Sequence, residues 1–99
     1  MFEIEYADTV IEDLNALRAY ERRIILDALD DQLRFEPTVQ TQDRKILVGL
    51  SPPWEYVEPL WELRIGEYRV FYDVEEAVMK VFVRAVRRKP PHRRTEEIL

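Results

Sequence analysis

The stretch LWELRIGEYRVFYDV, residues 60–74, constrains the fold more than any other part of the chain. Trp61, Leu63 and Ile65 alternate with polar residues before Gly66-Glu67, and Tyr68, Val70 and Tyr72 resume the alternation after it. A period of two on both sides of a glycine-containing pair predicts two antiparallel strands joined by a two-residue turn. That turn sets Ile65 opposite Tyr68, Arg64 opposite Arg69, Leu63 opposite Val70, Glu62 opposite Phe71 and Trp61 opposite Tyr72. One face is then apolar throughout, whereas the other carries Glu62, Arg64, Arg69, Phe71 and Asp73. A slip of one residue would exchange the faces and bury two arginines, so burial pins the register. Like charges directly opposite one another repel, and paired guanidiniums offer fixed donor forks that fit a phosphate. An anion is the natural third party.

The rest of the chain supplies layers for this hairpin. FEIEY, residues 2–6, alternates Phe2, Ile4 and Tyr6 with two glutamates and reads as a half-buried strand. TVIE, residues 9–12, has the form of a capping box, so a helix is expected to start at Thr9. Val10, Leu14, Leu17, Ile24, Ile25, Ala28, Leu29 and Leu33 then recur at helical spacing until Pro37. Periodicity alone allows one helix or two over residues 9–35. A single one would run about 40 Å at 1.5 Å per residue, longer than a short sheet, which favours a helical hairpin bending near Tyr20.

Residues 36–59 hold four of the six prolines and read as an extended loop with one β-like piece at Lys45 to Val48. Trp54 and Tyr56 there are expected to cap the core or to sit beside a ligand. A third strand over Val78 to Val86 follows a turn at Glu75-Glu76, and an even-length turn adds Lys80, Phe82 and Arg84 to the charged face. The order is β-αα-βββ: one α+β domain spanning residues 1–99, two layers deep, with an antiparallel sheet packed against a helical hairpin.

A chain of 99 residues, 46% hydrophobic, suits a single core. It has no cysteine and one histidine, which leaves no thiolate metal site and argues against zinc. The opening MFEIEYADTV has no long apolar run behind it; neither a signal peptide nor a membrane span is expected, and the cytoplasm is the expected location. The net charge of −5 argues against broad attraction to nucleic acid. The charge is segregated, however: residues 84–94 carry Arg84, Arg87, Arg88, Lys89, Arg93 and Arg94 without an acid among them.

LR.G.YRV.Y over Leu63 to Tyr72, with the Arg44-Lys45-x-Leu47 stretch, the basic end and the element order, resembles the RelE/ParE superfamily of toxins from type II toxin–antitoxin pairs. In RelE-like members the resemblance implies an mRNA endonuclease of the ribosomal A site that needs neither metal nor cofactor. A ribose 2′-hydroxyl attacks the adjacent phosphate, which calls for a base, an acid and cations around the charged phosphorane. Arg69 matches the strand arginine that holds the scissile phosphate, Arg64 its neighbour, and Arg88 or Lys89 the basic residue ending the last strand. Arg44, Lys45, Arg84, Arg87, Lys89, Arg93 and Arg94 are the expected nucleic-acid contacts.

The chain departs from the ribosome-cleaving pattern at Leu60 and Glu62, where lysines are common, and it has no tyrosine in PPHRRTEEIL. Glu62 then becomes the candidate base and His92 the candidate acid. ParE-like members poison DNA gyrase instead of cutting RNA, and a cationic face can also serve only to hold an acidic antitoxin segment. The partners implied are an antitoxin that folds on binding, with the ribosome and mRNA, or gyrase in the alternative.

Overall fold

The computed structural model describes all 99 residues. Strand β1 (Glu3–Tyr6) leads into helices α1 (Asp8–Asn15) and α2 (Ala19–Leu33). Strands β2 (Arg44–Leu47), β3 (Leu60–Ile65), β4 (Tyr68–Glu75) and β5 (Lys80–Arg88) follow, and a short helix α3 (Thr95–Ile98) ends the chain. The five strands lie in the order β1-β5-β4-β3-β2. This is the expected two-layer α+β architecture, with the β-like piece at Lys45 to Val48 joining the sheet as β2 and α3 added.

The sheet is mixed where a fully antiparallel one was expected, because β1 runs parallel to β5 with Glu3 opposite Lys80 and Tyr6 opposite Val83. Parallel pairing needs a long crossover, and the two helices and three strands between β1 and β5 supply it. The central hairpin has the register its alternation dictates, from Trp61 opposite Tyr72 to Ile65 opposite Tyr68.

Its apolar face meets the helices. Trp61, Leu63, Val70 and Tyr72, with Val81, Val83 and Val86 of β5, pack against Val10, Leu14, Ile25, Leu29 and Leu33. The Tyr72 hydroxyl donates to the carbonyl of the buried Pro37 at 2.7 Å, and burial pushes its phenol well up, so it remains a protonated donor. Tyr68 donates to Glu21 at 2.8 Å and so ties α2 to the hairpin. Leu29 is fully buried in the middle of this layer. Leu29→Ala is therefore expected to lower the unfolding free energy by about 3 kcal/mol, read as a reduced urea midpoint with an unchanged slope.

Three local expectations are corrected. Helix α1 starts at Asp8 with Ala7 as its uncapped N-cap, and Thr9 lies inside the first turn. The sheet sets this start: Val83 O takes the Ala7 amide, and Ala7 O then accepts from the amides of Val10 and Ile11. The helices break at Ala16–Arg18, ahead of Tyr20, where the half-buried Leu17 packs against the main core. Strand β5 begins at Lys80, after a single 3-10 turn over Glu76–Val78 and a left-handed Met79 at φ 52°.

The third strand also contains a bulge. Tyr72 faces Val83 but Phe71 faces Ala85, so Arg84 is the extra residue and the phase of β5 shifts beyond it. Arg87 thereby pairs with Arg69, and Arg88 pairs with Tyr68. The outer face of the sheet is not bare either. Leu60, Phe71 and Ala85 form a second small core there, covered by Leu47, Trp54, Tyr56, Ile98 and Leu99. Trp54, its ring centroid 5.6 Å from that of Phe71, caps this outer cluster and not the main one.

Candidate functional site

Where the outer apolar cluster ends, the charged end of the β3–β4 hairpin begins. Lys45 of β2 sits opposite Glu62 of β3, and Arg64 of β3 sits opposite Arg69 of β4. The C-terminal segment closes this area from the far side. Beyond β5 the Lys89 amide extends the ladder by donating to Glu67 O at 2.7 Å, the chain turns at Pro91-His92, and α3 lays Ile98 and Leu99 on the outer cluster.

The result is an open cleft of about 370 Å³ with no apolar lining residue. Six cations line it, Lys45, Arg64, Arg69, Lys89, Arg93 and Arg94, against two carboxylates, Asp43 and Glu62. A chain whose net charge is −5 thus gathers positive charge in one place.

The cations differ in how they are held. Arg69 donates from Nη1 to the carbonyls of Gly66 at 2.8 Å and Tyr68 at 2.9 Å, which anchors the guanidinium to the turn, and it has no carboxylate partner. Arg64 reaches Asp43 Oδ1 at a long 3.4 Å in an exposed pair, the kind that contributes little to stability. Lys89 forms no ion pair. Arg93 bonds Glu97 at 3.0 Å, and Arg94 lies 3.8 Å from Glu96. Glu62 is different in kind: its side chain is only 5% exposed, Lys45 Nζ lies 3.5 Å from Oε1, and the Thr95 hydroxyl donates to Oε2 at 2.9 Å.

The bonds from Arg93 and from the Arg94 amide hold the Glu97 carboxyl below its ordinary value of 4.5. A carboxyl depressed in the folded state contributes stability above its unfolded pKa, and that contribution is lost as pH falls through the folded value. With the intrinsic pH dependence of exchange divided out, the protection of the Thr95–Ile98 amides is expected to hold at neutral pH and to fall in acid as this carboxyl takes up its proton. Protection factors that stay constant on acidification would contradict this.

Of the residues singled out from the sequence, Glu62, Arg64, Arg69, Lys45, Lys89, Arg93 and Arg94 meet in the cleft. The others stand elsewhere. Arg88 is carried to the opposite side by the bulge and bridges Glu67 at 3.1 Å, leaving Lys89 as the strand-end cation of the cleft. His92 is exposed in the turn after the two prolines and does not line the cleft. Arg84 is locked by two bonds to the fully buried Asp73, at 2.7 and 3.1 Å. Arg87 faces Asp13 at 3.6 Å and the ring of Trp54 at 5.4 Å. Arg44 is buried and donates to the Gln32 carbonyl, which ties β2 to the end of α2. Gln42, Asp43 and Thr95 also line the cleft, and none of them is a candidate from the sequence, although Asp43 adjoins Arg44-Lys45 and Thr95 follows Arg93-Arg94.

The five-stranded mixed sheet with its two-helix layer is the fold that this chain shares with solved RelE proteins. The chain is similar to the archaeal RelE–RelB complex from Pyrococcus horikoshii, with a TM-score of 0.69 and 23% identity over 94% of this chain and 98% of that one. The RelBE2 toxin–antitoxin complex of Mycobacterium tuberculosis superposes with a TM-score of 0.68 at 18% identity, over 89% of this chain and 98% of the other. The isolated Escherichia coli RelE toxin gives 0.60 at 17% identity, over 96% and 89% respectively. No protein-family model matches the chain, and no curated protein matches it in sequence.

Proposed function

We propose that this chain is the toxin of a toxin–antitoxin pair and that its cleft cuts mRNA on the ribosome. The observation that carries the reading is Arg69, a guanidinium with no carboxylate partner in a cleft of six cations, beside the buried carboxylate of Glu62. The fold shared with RelE toxins supports the toxin role, and neighbours solved as complexes with RelB support an antitoxin as partner. The site of action is the cytoplasm, where ribosomes are; no helix is long and apolar enough to cross a membrane.

Glu62 takes the proton of a ribose 2′-hydroxyl, and that oxygen attacks the adjacent phosphorus. The bond from phosphorus to the 5′-oxygen breaks, leaving a 2′,3′-cyclic phosphate on one fragment and a 5′-hydroxyl on the other. Lys89, whose ammonium has no carboxylate partner, returns a proton to the leaving oxygen, while Arg64 and Arg69 hold the non-bridging oxygens on which charge gathers. The cleft has no apolar or aromatic lining side chain on which a base could stack, so its grip is on phosphate and ribose and the choice of codon falls to the ribosome.

The purified chain is tested in a translation extract. Cuts at codon positions in translated mRNA, ending in cyclic phosphate, are expected. Intact message overturns the nuclease reading, and intact message with stalled gyrase would replace it by gyrase inhibition.

A further inference from the structure

Glu62 is the only buried carboxylate in the cleft, and its shortest hydrogen bond comes from outside the sheet. Lys45, on the neighbouring strand, stays 59% exposed at 3.5 Å from Oε1, whereas Thr95 Oγ1 donates to Oε2 at 2.9 Å across 33 residues of sequence. Thr95 is brought there by the C-terminal segment, which is anchored not in the cleft but beside it: Ile98 and Leu99 pack on Leu60, Phe71 and Ala85. The same segment carries Arg93 and Arg94 to the rim, each already facing an acid of its own, Glu97 and Glu96.

From this arrangement we infer that Thr95 is the positioning residue of Glu62: its hydroxyl fixes one carboxylate oxygen and leaves the other aimed at the 2′-hydroxyl. The inference rests on the ribonuclease reading and adds to it. A glutamate side chain has three rotatable bonds and samples several rotamers when nothing holds its end. One donor on Oε2 removes that freedom while leaving Oε1, with the loosely held Lys45 ammonium, to meet the substrate. The apolar end of the chain then has a role in the cleft without touching it, because Thr95 keeps its place only while Ile98 and Leu99 stay docked.

Thr95→Val keeps the size of the side chain and removes the donor, and Thr95→Ser keeps the donor. Thr95→Val is expected to lower kcat on translated mRNA by about 10- to 100-fold with KM changed by less than roughly threefold, because the loss is of orientation and not of binding. Thr95→Ser should recover most of the rate. Equal activity of Thr95→Val and the wild type, equal loss in both variants, or a loss confined to KM would each overturn the assignment. Side-chain NMR couplings of Glu62 give a readout independent of turnover: one rotamer in the wild type and Thr95→Ser, averaging in Thr95→Val. Should the wild type cleave nothing, the nuclease reading fails by itself, and the couplings still decide: a single Glu62 rotamer in Thr95→Val overturns the positioning role.

Discussion

Arg69→Ala is expected to lower mRNA cleavage by about 10²- to 10³-fold, the usual loss when one preorganised donor to a developing oxyanion is removed. The guanidinium is held by two carbonyls of its own turn, Gly66 and Tyr68, at 2.8 and 2.9 Å, and by no acid, so it meets a phosphate without first breaking an ion pair. Those two bonds span a solvent-exposed turn, and their loss costs about 1 kcal/mol, too little to unfold the domain. Arg69→Lys keeps the charge but not the planar fork, and only part of the rate should return. Arg23→Ala, on an exposed position of α2, is the control that should leave cleavage unchanged. Growth of cells making each variant gives the same ranking. Full toxicity of Arg69→Ala would remove the cleft from the account.

Asp73→Ala is expected to destabilise the fold as strongly as the Leu29→Ala cavity does. Asp73 is fully buried, and both of its oxygens accept from Arg84, whose guanidinium also lies 4.8 Å from the centre of the Phe82 ring. Removing the acid leaves a cation facing hydrocarbon. Such losses run to 3–5 kcal/mol, and because Arg84 is 21% exposed and can be partly hydrated, about 3 kcal/mol is expected here. The urea midpoint should fall with no change in slope. Replacing both partners, Asp73→Leu with Arg84→Leu, should recover most of the loss, since apolar substitutes of similar volume often match a buried pair. Cleavage per folded molecule should not change, because Arg84 lies outside the cleft. A strong loss of cleavage in the folded variant would place Arg84 in the site after all.

These two arginines mark the boundary of what the sequence discloses. Arg64 and Arg69 were legible because the apolar alternation on both sides of Gly66 permits one register only, and the structure has it. Arg87 and Arg88 were not, because the bulge in β5 falls within VRAV, residues 83–86, where no glycine or proline signals it. One unsignalled residue sends Arg87 to the side of Arg69 and Arg88 away from it, and gives Lys89 the place in the cleft. The start of α1 differs for a related reason: the Thr9–Glu12 pattern satisfies a cap locally, but the bond from the Ala7 amide to Val83 O moves the N-cap two residues earlier, to Ala7. The second apolar cluster has the same origin. Trp54, Tyr56, Ile98 and Leu99 are visible in the sequence as apolar residues among prolines and charges, yet only the folded chain shows that they share the outer face with Phe71. The contact of Thr95 with Glu62 depends on that packing and has no sequence signature of its own.

The central claim is that the outer face of the sheet, on an acidic protein, offers a seat for RNA phosphate. Titrating the labelled chain with a short 2′-O-methyl RNA, which cannot be cleaved, tests it most directly. The account predicts saturable NMR shifts at Lys45, Arg64, Arg69, Lys89 and Thr95, none at Arg22 or Arg23 of α2, and affinity that falls as salt rises. Shifts scattered over the helices, or none in the cleft at low salt, would contradict it.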